Sequence, residues 1–106
     1  MIQHIVAWNF QPHLTDEDKT AAFERISAEL DQLFDLMAND FLEFELNGNT
    51  TSDSQRELIL HSLFRDQAAL DAYQVHPDHQ RLGAYIRTVL QDRVCLDYHI
   101  DDVSED

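Results

Sequence analysis

The strongest constraint on this chain is the order in which its hydrophobic period switches between two and about 3.6 residues. Gln3–Phe10 alternates, with His4, Val6, Trp8 and Phe10 on one face and Gln3, Ile5, Ala7 and Asn9 on the other. Its β-branched and aromatic content predicts a strand covered on both faces. After a short loop at Gln11–Leu14, Thr15 is a good helix N-cap, and Asp16, Glu17 and Asp18 complement the positive end of the helix that follows. Ala22, Ile26, Leu30, Leu33 and Met37 then recur at spacings of three and four, with Phe23 and Phe34 widening the stripe. Phe41–Asn47 alternates again, with Leu42, Phe44 and Leu46 as its apolar face, and ends in the turn-rich stretch NGNTTSDS. Glu57–Phe64 is a third strand, with Leu58, Leu60, Ser62 and Phe64 on one side. Asp66 caps a helix over Gln67–Val75, which resumes after a break as a second part reaching Leu90, with Leu82, Ile86, Val89 and Leu90 as its stripe. Val94–Ile100 alternates as the last strand.

The order β-α-β-β-α-β predicts an α+β fold of ferredoxin-like type, an antiparallel sheet with its helices on one face. The other face would carry Ile5, Ala7, Ile59 and Leu63 beside Asn9, Glu57 and His61. An uncovered, partly apolar surface of this kind marks an interface, and a homodimer whose two sheets stack into a barrel is expected. His99 is expected near that face with His61, and protonated His61 paired across it would make assembly pH-dependent. Cys95 reads as a buried small apolar residue or as part of the interface.

The densest chemistry lies in Leu70–Leu82, LDAYQVHPDHQRL, where Tyr73, His76, Pro77 and His79 fall within seven positions. Pro77 lacks a backbone N–H and pushes His76 out of the helical region, so one helix stops near Val75 and another begins at Pro77. Tyr73, His76 and His79 are three apart, which places them on one side of the break. An imidazole exchanges protons near neutral pH, and a phenol donates a hydrogen bond to developing negative charge. The competing reading makes His76 and His79 capping or packing residues and Tyr73 a core aromatic. A metal pair at His76 and His79, with Asp78 or His4, would be poorly aimed around the proline, so no metal is expected.

Charge excludes several function classes. Twenty-one acidic residues against seven basic ones give −14, and Lys19 is the sole lysine. Such a surface repels phosphate backbones and anionic bilayers, so neither nucleic acid nor membrane is an expected partner. The same balance suits a salty cytoplasm or simply confers solubility. One cysteine in 106 residues forbids an intrachain disulfide. No apolar run approaches the ~20 residues of a membrane span, and a cytoplasmic location is expected. The acidic end, residues 101–106, reads as a disordered tail.

The segments MIQHIVAWNF, AYQVHPDHQ and DRVCLDYHI together resemble the stress-responsive dimeric α/β-barrel family, over roughly Met1 to Ile100 as one domain. The resemblance implies a homodimer without an organic cofactor, with a pocket between helices and sheet in each subunit. Plant polyketide cyclases of that family close a poly-β-keto chain with His and Tyr side chains as acid and base. The matching positions here are His4, Tyr73 and His79, with Asp97 orienting a histidine, taken to be His79. The implied pocket is lined by Val6, Trp8, Phe23, Ile26, Leu60, Ser62 and Tyr85. Trp8, Ser62 and Tyr85 depart from the cyclases: Trp8 would shorten the cavity and Ser62 make it more polar, which disfavours a long-tailed substrate. Two functions stay open. One is cofactor-independent acid–base chemistry on a small carbonyl, polyketide-like compound; the other is a non-catalytic stress-associated dimer or a binder of small hydrophobic ligands. A deep pocket reaching His4 and His79 favours the first, and one plugged by Trp8 and Tyr85 the second.

Overall fold

A computed structural model describes residues 1–100, and the expected tail at 101–106 lies outside them. The elements are β1 (Ile2–Phe10), α1 (Asp16–Leu36), β2 (Phe41–Asn47), β3 (Leu58–Phe64), α2 (Gln67–Val75), α3 (Pro77–Val89) and β4 (Leu90–His99). The four strands form one sheet in the order β2-β3-β1-β4, with every neighbouring pair antiparallel. This is the ferredoxin-like α+β arrangement, its second helical segment broken in two.

Each helix begins where local chemistry satisfies its first N–H groups. At α1 the Thr15 hydroxyl accepts from the Asp18 N–H (3.1 Å) while the Asp18 carboxylate accepts from the Thr15 N–H (3.0 Å). This reciprocal capping box also holds the Asp18 carboxyl below its ordinary pKa. Asp66 caps α2 by accepting from the Ala69 N–H at 2.8 Å. His76 sits in an extended conformation (φ −60°, ψ 133°), ends α2 and caps α3, and its Nδ1 accepts from the Asp78 N–H at 3.1 Å. Pro77 takes the first turn of α3, where its missing N–H costs nothing.

One apolar core lies between the helices and one sheet face. Ile2, Val6 and Trp8 of β1 and Leu58, Leu60 and Phe64 of β3 meet Ile26, Leu30 and Leu33 of α1, Leu70 and Tyr73 of α2 and Leu82 of α3. Two positions differ from the sequence pattern. In β2 the register shifts between Phe41 and Glu43, so Phe41, opposite Phe64, is fully buried and Leu42 falls at the irregularity. An extra residue in one strand reverses the facing of everything before it. In the second case β4 starts four residues before Val94, and Leu90 is its first residue, not the end of a helix. α3 passes into β4 without a loop: Leu90 is already extended, pairs with Phe10, and its carbonyl accepts from the Gln11 side chain. The strand then absorbs a register shift opposite Trp8, with Asp92 at φ 56°. Aspartate tolerates this left-handed conformation better than most residues. Here it is held by Asn9, which donates to the Asp92 carboxylate (3.1 Å), and by Arg56, which donates to its carbonyl (2.6 Å).

Register also corrects two placements on β4. Cys95, Asp97 and His99 stand opposite Val6, His4 and Ile2, so all three point to the helix side of the sheet and not to the open face. Cys95 is exposed there, because β4 is an edge strand that the helices leave uncovered. The open face instead gains Val94, Leu96 and Tyr98, opposite Ala7, Ile5 and Gln3. No helix among the described residues is long and apolar enough to cross a membrane.

Candidate functional site

A cavity of about 600 Å³ lies between the sheet and the helices, and His4, Tyr73 and His79 all line it. Three separate elements supply them. His4 is fixed by its place in β1, with Ser62 opposite on β3 and Asp97 opposite on β4. Tyr73 comes from the last turn of α2 and His79 from the first turn of α3, so the Pro77 break sets their relative position. The two rings are 4.3 Å apart between centroids, and the Tyr73 ring is 6.3 Å from that of His4.

Tyr73 is wedged into an aromatic cluster, with Phe64 at 4.8 Å and Phe41 at 5.2 Å, and those two rings stack on each other at 4.8 Å. Offset and edge-on packing of this kind holds a ring in one orientation. Burial pushes the Tyr73 hydroxyl far above its ordinary pKa, because the phenolate would lose its hydration. Tyr73 is therefore a permanent hydrogen-bond donor in the neutral range.

His79 is shifted the other way. Burial lowers its pKa, hydrogen bonding to the Gln74 backbone opposes the shift, and the neighbouring His4, Arg93 and His76 side chains add to it. Its Nδ1 is buried without a hydrogen-bond partner among the described residues. A buried polar atom of that kind calls for an explanation, and it belongs to a residue that lines the cavity.

Asp97 pairs with His4, not with His79. The Asp97 carboxylate accepts a hydrogen bond from His4 Nδ1 across the β1–β4 ladder. His4 is only 3 % exposed while Asp97 is 39 % exposed, so the ring is sealed in the core and its carboxylate partner faces solvent. A proton on Nδ1 leaves Nε2 as the lone-pair nitrogen. The sequence placed these residues near one another but could not reveal which histidine stands opposite Asp97, since that is set by strand register. Cys95 completes the group, its Sγ 3.8 Å from His4 Nδ1 and 3.6 Å from Asp97 Oδ1. Burial and the Asp97 charge raise the Cys95 thiol pKa, against the opposing pull of Arg93.

Of the lining expected from the sequence, Val6, Trp8, Ile26 and Leu60 face the cavity. Phe23, Ser62 and Tyr85 do not. Phe23 lines a separate depression with Phe10 and Lys19. Ser62 is buried in the sheet with its hydroxyl donating to the His4 carbonyl (2.9 Å), and Tyr85 lies outside beneath the Arg25 guanidinium, 3.8 Å from its ring centre. Without Tyr85 as a plug the cavity stays open, and Trp8 forms a wall. The mouth is polar and was not anticipated: Gln74, Arg87, Gln91, Asp92 and Arg93 border it. Gln91 to Arg93 were hidden because the early start of β4 was hidden. His76 is occupied with its capping role and is absent from the cavity lining.

Comparison with known proteins accords with this architecture. No curated protein matches the chain. Among solved structures, a dimeric ferredoxin-like protein of unknown function from Bacteroides fragilis superposes with a TM-score of 0.82 at 20 % identity, over 93 % of this chain and 95 % of its own. A similar dimeric protein from Jannaschia gives 0.78 at 24 % identity, over 93 % and 98 %. The hydroxynitrile lyase of Passiflora edulis gives 0.76 at 15 % identity, over 98 % and 96 %. The profile of the Stress Responsive A/B Barrel Domain matches residues 2–100, nearly the whole chain, and the chain belongs to that family.

Proposed function

We propose that the cavity is the site of a cofactor-independent enzyme that moves a proton on a small carbonyl compound. The observation that carries this reading is the convergence of an Asp97-oriented His4, a neutral Tyr73 hydroxyl and a neutral-leaning His79 on one cavity. In the proposed step, His4 Nε2 takes a proton from the carbon beside the carbonyl, and Asp97 stabilises the imidazolium that forms. The electron pair moves to the carbonyl oxygen, where Tyr73 donates a hydrogen bond to the enolate. His79, which lines the cavity beside Tyr73, offers a second polar contact. The cycle closes when the imidazolium returns its proton to the carbon, or when the enolate carbon attacks a second carbonyl and the alkoxide so formed takes the proton from His4. Breaking a cyanohydrin also needs a base, there for the hydroxyl proton as cyanide leaves, and a hydroxynitrile lyase of similar fold supports an acid–base reading of the cavity.

The cavity reaches both His4 and His79, which supports catalysis over a plugged binding site. Its size suits a compact substrate, and the Trp8 wall disfavours a long tail. The active form is a homodimer closed through the open sheet faces, a reading supported by the apolar row of Ile5, Leu96 and Val94 and by relatives described as dimeric.

The test is exchange of α-hydrogens in deuterated buffer, followed by NMR, over small ketones, 1,3-diketones and cyanohydrins. Wild type should exchange or turn over at least one compound, and His4→Gln should lose about 10²-fold or more. Saturable binding with no exchange in any of them would leave the protein a ligand-binding dimer.

A further inference from the structure

We propose that His4, Cys95 and Asp97 form a binding site for a thiophilic divalent cation of the zinc class, at the edge of the sheet beside the cavity. Cys95 and Asp97 are two apart on β4 and therefore share a face, and His4 stands directly opposite Asp97 on β1. One nitrogen, one sulfur and one carboxylate oxygen thereby fall within 4.8 Å of one another.

The spacing suits coordination. Around a tetrahedral zinc with Zn–S near 2.3 Å and Zn–N or Zn–O near 2.0 Å, ligand atoms stand roughly 3.3 to 3.6 Å apart. Cys95 Sγ already lies 3.8 Å from His4 Nδ1 and 3.6 Å from Asp97 Oδ1. Only the edge between His4 and Asp97 is closed, by their hydrogen bond. Asp97 can open it because its side chain is 39 % exposed on an edge strand, whereas His4 is held in the core. A mixed imidazole, thiolate and carboxylate set favours zinc over magnesium or calcium, which prefer oxygen alone. Three ligands on an exposed edge leave the fourth position to water.

Two electrostatic influences act on the site. The net charge of −14 concentrates cations around the molecule. Arg93, beside Cys95, opposes a cation, but its side chain is exposed and can turn to solvent while the metal displaces the thiol proton.

Occupancy has a chemical consequence. A metal on Nδ1 forces the ring proton to Nε2, which removes the lone pair that the proposed proton transfer uses. The cation would then be an inhibitor of that reaction. This consequence rests on the proposed function; the site itself does not.

Cobalt(II) added to the full-length protein in excess magnesium, which occupies the carboxylate surface, tests the site by absorption alone. A thiolate-to-cobalt charge-transfer band with intense visible bands is expected, saturating at one equivalent and reversed by zinc. Asp97→Asn should weaken binding by about tenfold or more, and Cys95→Ser should abolish the band. Both positions are exposed on β4, so both variants should keep the wild-type circular dichroism. A weak octahedral spectrum in wild type would overturn the proposal, as would a thiolate band whose affinity ignores Asp97→Asn. Turnover that persists in the cobalt-saturated protein would overturn the inhibition while leaving the site intact.

Discussion

The Tyr73 and His79 rings lie 4.3 Å apart across the Pro77 break, one closing α2 and the other opening α3. The break therefore brings two polar groups from different helices over one cavity, and the Phe41–Phe64 stack fixes the first of them. Removing only the Tyr73 hydroxyl separates chemistry from packing. Tyr73→Phe keeps the ring and its neighbours, so thermal unfolding should move by the equivalent of less than about 1 kcal/mol. Exchange of α-hydrogens should fall by about 10²-fold, as for loss of one donor to a developing oxyanion. Unchanged exchange would reduce Tyr73 to a core aromatic.

His79 should leave a signature in the pH dependence of stability. Its folded pKa is depressed by burial, so the unfolded chain binds the proton more readily. The contribution of neutral His79 is thus fully present above the unfolded value near 6.5 and is lost as pH falls through the lower folded value. Denaturant titrations should show stability dropping below about pH 6.5, with a shallower slope in His79→Gln. Parallel profiles for the two proteins would show that His79 is not the group responsible.

The hydrogen bond between His4 and Asp97 makes its own prediction. A buried Nδ1–H donating to a carboxylate should give a low-field proton resonance. Asp97→Asn keeps the shape but replaces the charged acceptor, and the resonance should move upfield or broaden into exchange. The same variant should leave His79 unperturbed, since Asp97 does not bond it. A shift of the His79 ring signals instead of those of His4 would reverse the assignment.

The fold was legible because its signals are local. Thr15, Asp66 and Pro77 mark helix starts through their own side chains, and the alternation in β3 names the buried face residue by residue, while central β1 has buried residues on both faces. Errors arose where a single residue changes register. The irregularity after Phe41 turned a strand start into a core position, and the left-handed Asp92 let β4 begin at Leu90. Site residues followed the same division. His4, Tyr73 and His79 could be chosen by chemical type and by resemblance, but the partner of Asp97, the exposure of Cys95 and the exclusion of Ser62 depend on which residues stand opposite across the sheet. Those pairings are nonlocal, and one displaced residue alters all of them.

The open face predicts the association state. Leu96 is 60 % exposed and Tyr98 49 %, in a row with Ile5 and Val94 that no element of the same chain covers. Leu96→Asp places a charge at the centre of that row, where a stacked second sheet would leave it unpaired. Sedimentation should find wild type as a dimer and the variant largely as a monomer with unchanged helical circular dichroism. A dimer that tolerates the charge would place the interface elsewhere.

The charge at the mouth predicts which ligands the cavity prefers. Lys19, Arg25, Arg65 and Arg81 each pair with a carboxylate, and Arg56 donates to backbone carbonyls. Arg87 and Arg93 form no ion pair among the described residues, and both border the cavity. In a protein of net charge −14, two guanidinium groups against the single carboxylate of Asp92 make that opening a local exception to the negative field. A small aromatic carboxylate should therefore perturb the His79 ring signals at lower concentration than the matching alcohol, by about tenfold for one added charge-assisted contact. The preference should shrink at high salt and disappear in the Arg87→Gln, Arg93→Gln double variant, which leaves the apolar wall untouched. Equal binding of acid and alcohol in wild type would show that the two arginines are ordinary solvated charges.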